Sequence, residues 1–74
     1  MSQAVKHMGA EHLIMAAEHL EAAALRQREA AKLYQAGNDE KASHHAVVAR
    51  GELVLAQDHE KEASKCQAAE FKKP

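Results

Sequence analysis

The sequence predicts an all-α fold: one long antiparallel helical hairpin that dimerises with a second copy into a four-helix bundle. Three observations predict it. Among 74 residues there are one Pro, three Gly, one Phe and one Tyr, with Ala, Glu, Lys, Leu and Gln abundant, which is a helix-forming composition. A turn signal, Ala36-Gly37-Asn38-Asp39-Glu40, divides the chain near its middle. Small residues recur at every seventh position on both sides of that turn, the period of supercoiled helix packing.

The first helix is expected over about residues 2–36. Ser2 is its candidate N-cap, and Gly9 is its one weak point, costing about 1 kcal/mol relative to Ala. Gly37 suits the left-handed position that ends a helix. Asn38 can cap the next helix, and Asp39 and Glu40 place negative charge at its positive end. The second helix is expected over about 39–71, closing with Lys72, Lys73 and Pro74, which suit a helix C-terminus. Each helix would be on the order of 50 Å long, and so short a turn forces them antiparallel. The whole chain is one domain.

Length then demands a partner. A chain this short buries only about 60% of its unfolded surface even when compact, and two helices bury less. The single Cys66 excludes an internal disulfide, which leaves assembly or a metal as the stabilising device.

Residues 8–14, Met-Gly-Ala-Glu-His-Leu-Ile, and 15–21, Met-Ala-Ala-Glu-His-Leu-Glu, form a near-tandem heptad. With the small residues at position a, that row is Gly9, Ala16, Ala23 and Ala30, then Ala42, Ala49, Ala56 and Ala63. Position d carries His12, His19, Arg26 and Leu33, then His45, Glu52, His59 and Cys66. Folding at Gly37–Asn38 places at one level residues whose numbers add to 75. The layers are Gly9–Cys66, His12–Ala63, Ala16–His59, His19–Ala56, Ala23–Glu52, Arg26–Ala49, Ala30–His45 and Leu33–Ala42. Each larger side chain meets a small one, so the backbones can approach toward the lower end of the roughly 8–10 Å range for packed helices.

The bulky apolar residues flank this seam. Leu13, Leu20, Tyr34 and Leu53 fall on one side, and Met8, Met15, Val48 and Leu55 on the other, with Ile14 and Leu25 pointing roughly away. A second hairpin would cover them; a two-fold dimer is the simplest closed solution, and a higher homo-oligomer is the alternative.

The d row is polar where a seam normally carries leucine. Read between the helices it runs Cys66, His12, His59, His19, Glu52, Arg26, His45, Leu33, with successive members roughly 5 Å apart along the axis. One reading places this ladder at the bundle edge, with Arg26 and Glu52 as a partly exposed ion pair and the histidines as boundary or hydrogen-bonded groups that fix register. A second reading is a metal site for zinc, copper or nickel, built from His12, His59, His19 and Glu52 or Cys66, since imidazole, carboxylate and thiolate are the donors those ions take. His12 and His19 lie seven apart, so the second helix would have to bridge them, and the Glu-x-x-His pairs of di-iron bundles are absent. Met8 and Met15 near these histidines suit copper, although methionines at this spacing are usually packing residues. A third reading, compatible with both, is an assembly that weakens when the ladder is protonated. His7/Glu11 and Glu40/His44 read as local i, i+4 contacts.

Several function classes are excluded or disfavoured. Ten Lys+Arg against eleven Asp+Glu give a net charge of −1, with no basic excess to hold phosphates. No run approaches the roughly 18 apolar residues of a membrane span. The segment Met-Ser-Gln-Ala-Val-Lys-His lacks the core of a signal peptide, and a lone cysteine suits a reducing compartment, so a cytoplasmic location is expected. Cys66 has no evident oriented base, and there is no phosphate loop or paired-carboxylate motif. The chain therefore reads as no enzyme, needing no cofactor.

The segments Ala30-Ala31-x-x-Tyr34-x-x-Gly37, Glu40-x-Ala42-x-His44-His45-Ala46 and Glu62-Ala63-x-Lys65 resemble a group of small alanine- and histidine-rich bacterial proteins over roughly residues 10–70. That resemblance implies a bacterial helical hairpin and brings no catalytic residues with it. The Gly37-to-Ala42 spacing is similar to the inter-helix turn of tetratricopeptide repeats, but the helices are about twice as long and no second copy follows. In architecture alone the chain resembles the Rop-type RNA-binding hairpin dimers. The expected function is a small structural or protein-interaction module whose partner is itself or another protein. A metal-binding bundle is the alternative, and an RNA-binding regulator a third.

Overall fold

Gly37 sets the architecture. The computed structural model describes residues 3–71, with side chains for 7–69. It contains two helices, α1 over Gln3–Gln35 and α2 over Asp39–Phe71, each of 33 residues. Ser2, Lys72, Lys73 and Pro74, assigned above to the helix ends, lie outside the described residues.

Gly37 takes φ 79°, the left-handed conformation that α1 needs in order to stop. Its N–H donates to the Tyr34 carbonyl at 3.0 Å, while the Asn38 N–H reaches back to the Leu33 carbonyl at 2.8 Å. These two bonds are the paired closure of a Schellman motif. Ala36 is thereby the cap residue, so α1 ends one position earlier than expected. Asn38 then faces the other way. Its carbonyl accepts from Ala42 N–H at 3.1 Å, and its side-chain Oδ1 accepts from Lys41 N–H at 3.4 Å. One residue closes α1 and caps α2, and Asp39 and Glu40 occupy the first turn beyond it. No slack is left in the connection.

The helices pack along the row of small residues. The buried core consists of Ala16, Ala23, Ala30, Ala42, Ala49, Ala56 and Ala63, each between 0 and 6% exposed. All seven are a positions. At the eighth, a Cβ built on Gly9 would sit 3.3 Å from Cys66 Cβ, which fixes the Gly9–Cys66 layer of the expected register.

A core of methyl groups leaves the large side chains outside. Ten large hydrophobic residues are exposed, from Leu20 at 43% to Val47 at 70%, and no large side chain among the described residues is fully buried. The molecule is a rod of 58 × 14 × 12 Å. Its radius of gyration of 16.8 Å compares with about 11 Å for a compact chain of this length. Among the described residues no helix is long and apolar enough to cross a membrane.

Two glycines predict opposite effects. Gly51 lies exposed within α2, and a Cβ added there meets nothing within 4 Å. Gly51→Ala should stabilise the protein by about 1 kcal/mol through helix propensity. Gly37→Ala should destabilise it by about 1–2 kcal/mol, because alanine resists the left-handed conformation. Urea denaturation followed by circular dichroism reads both, and a shift in the same direction for the two variants would contradict the turn geometry.

Candidate functional site

The two helices bring the d row together along one edge of the alanine seam. Because the a positions are methyl groups, the backbones lie close enough for d side chains of opposite helices to touch. His12, His19, His45, Glu52 and His59 are half-buried, and Arg26 is exposed.

Three cross-helix hydrogen bonds form. His12 Nδ1 lies 2.8 Å from His59 Nδ1, His19 Nδ1 lies 2.5 Å from Glu52 Oε2, and Arg26 Nη1 lies 2.9 Å from His45 Nδ1. His59 also stacks on His19, with centroids 5.7 Å apart and ring planes at 9°. His12, His59, His19 and Glu52 thus form one continuous run, and Arg26 with His45 continues it toward the turn. Among the described residues no buried side-chain polar atom lacks a partner.

The expected Arg26–Glu52 ion pair does not form. Arg26 and His19 are both ladder neighbours of Glu52, and spacing alone does not choose between them. The helices pair d residues along one diagonal, His12 with His59, His19 with Glu52 and Arg26 with His45. That diagonal gives Glu52 to His19, and the guanidinium takes the next ring.

The bonds also assign protons. A guanidinium only donates, so His45 Nδ1 must accept and its own proton resides on Nε2. An ionised carboxylate only accepts, so His19 Nδ1 carries the proton toward Glu52. Between His12 and His59 one Nδ1 donates and the other accepts. Their centroids are 5.1 Å apart, as far as a 2.8 Å contact allows, so the two nitrogens point at each other.

That geometry bears on the metal candidates. His12, His19, His59 and Glu52 share one strip, but His12 Nδ1 and His59 Nδ1 are directed at each other and not at a shared third point. Cys66 is a free, half-buried thiol packed on Gly9. Among the described residues no group of three or more His, Cys, Asp or Glu side chains is placed to hold an ion.

The remaining polar contacts are local. His7 Nε2 lies 3.8 Å from Glu11 as expected, whereas His44 sits edge-on to His45 with centroids 5.9 Å apart. Tyr34 and Ser43 hydroxyls join the helices beside the turn at 3.2 Å. Lys65 Nζ donates to Glu62 at 3.1 Å, and this bond with its positive charge holds the half-exposed Glu62 carboxyl below the ordinary glutamate range. Any stability from that pair is present at neutral pH and fades as acid protonates Glu62. Sequence spacing did not reveal the Tyr34–Ser43 link, because nine residues across a turn match no helical period.

The ladder bonds predict coupling between the helices. In a double-mutant cycle of His12→Ala and His59→Ala, read by urea denaturation at one fixed pH, the pair should show an interaction of about 1 kcal/mol. Strictly additive effects would refute the contact. Comparison of the chain with protein-family models, curated proteins and solved structures finds no match.

Proposed function

We propose that the protein is a non-enzymatic self-assembly module in which two hairpins dimerise into a four-helix bundle, leaving its outer faces for interaction with other proteins. The observation that carries this reading is the inversion of its burial. Seven alanines are buried while ten large hydrophobic residues are exposed. A buried methyl contributes only about 0.8 kcal/mol, while the larger apolar side chains that would contribute more remain exposed.

Surface area supports the same reading. The hairpin exposes 5531 Å². A compact monomer of this mass would expose about 4,500 Å². The excess of about 1,000 Å² exceeds the roughly 800 Å² that each partner contributes to a standard interface. The ladder supports a structural role over a catalytic one, because each of its histidines commits Nδ1 to a partner on the opposite helix.

Sedimentation equilibrium at micromolar concentration tests the reading. The expected mass is twice that of the chain, with a melting temperature that rises with protein concentration. A well-folded monomer whose melting is independent of concentration would overturn it.

A further inference from the structure

The geometry points to a specific docking surface for the second copy: a strip on α1 that pairs antiparallel with the same strip of another α1. This inference rests on the dimer reading above and names its face and register. The strip is Ala10, Leu13, Ala17, Leu20, Ala24, Gln27, Ala31 and Tyr34. Steps of three and four residues alternate along it, the spacing of a coiled-coil seam. Small and large side chains alternate as well, repeating the rule of the seam that joins α1 to α2.

The hairpin leaves most of this strip open. Leu13 and Tyr34 are each 50% exposed and Leu20 is 43% exposed. Ala10, Ala17, Gln27 and Ala31 are exposed too, and Ala24 is half-buried. Over roughly 36 Å of helix it carries no charge. The other outward rows of α1 carry Glu11, Glu18, Glu21, Arg28, Glu29 and Lys32. The matching row of α2 is broken by Arg50 and Glu60.

The strip is complementary to itself. A two-fold axis level with Ala22 brings together positions whose numbers add to 44. The layers are Ala10 with Tyr34, Leu13 with Ala31, Ala17 with Gln27 and Leu20 with Ala24, each occurring twice. Every large residue meets an alanine. A closed dimer interface must match itself in this way, since residue i contacts j and j contacts i. A partner of unrelated sequence would impose no such symmetry.

A groove in the structure agrees with this register. Gln27, Ala30, Ala31 and Tyr34 surround a shallow hollow of about 400 Å³, walled on the α2 side by Arg50 and Leu53. Four residues at i, i+3, i+4 and i+7 make the hole into which a coiled-coil knob inserts. The two-fold register places Leu13 of the second copy over that hole, opposite Ala31.

Disulfide trapping in a Cys66→Ala background tests the face. In the existing seam the Gly9–Cys66 layer puts Cβ positions 3.3 Å apart. An equivalent layer between copies therefore falls near the roughly 3.5–4.5 Å that a disulfide requires. Leu13→Cys is mixed with Ala31→Cys, and separately Leu20→Cys with Ala24→Cys. The control mixes Met15→Cys with Leu55→Cys, on the opposite side of the hairpin. Helicity and sedimentation of each reduced variant are checked first, and the pairs whose variants keep the wild-type fold are compared. Both strip pairs should yield cross-linked dimers at least ten-fold faster than the control. A stable dimer whose control pair cross-links as fast, or whose strip pairs do not cross-link, overturns this face and leaves the dimer standing. A wild-type monomer overturns both.

Discussion

Close approach of two backbones is the constraint on which the rest of this structure depends. Seven buried alanines set it, and Gly9 extends it where Cys66 leaves no comfortable room for even one methyl. With the helices drawn together, side chains one position around the helix touch across the gap. That is why short groups such as imidazole and carboxylate can bond directly from helix to helix, where a leucine seam would hold them apart. The polar ladder is a product of the narrow seam. The exposed leucines have the same origin, since helices that meet through methyl groups leave no interior volume for anything larger.

Specificity and driving force are therefore separated in this chain. The hydrogen bonds along the ladder are directional and fix which residue faces which, but each contributes only on the order of 1 kcal/mol net. Apolar burial, which carries most of the free energy of folding in small domains, is largely unused within one hairpin. One face thus specifies the pairing of helices within a copy, and the free apolar surface is what the proposed dimer would bury.

Much of this was legible in the sequence because it depends on period and on local chemistry. The alanine row, the register and the turn at Gly37–Asn38 follow from a seven-residue spacing and from one glycine placed where a left-handed residue is required. The order of the ladder followed as well. Its bonding did not: spacing gave Glu52 two neighbours, and the choice of His19 over Arg26 depends on the diagonal along which side chains meet. The head-to-head contact of His12 and His59 was equally hidden, since ring orientation leaves no trace in residue order. Gly51 was silent for a different reason. A glycine within a strong helical pattern shows itself only when the space around it is known.

The turn leaves no spare residue, and this makes the hairpin a pair of levers hinged at one end. An oversized side chain placed between the arms acts differently according to its distance from the hinge. At Ala63, near the free ends, the arms can spread locally and the disturbance stays there. At Ala42, a few residues from Gly37, the same increase in width must be carried along the whole length of both arms or absorbed by the turn itself. Tolerance to enlargement of these otherwise equivalent alanines should therefore form a gradient that rises with distance from the hinge, a mechanical property that the uniform heptad does not suggest.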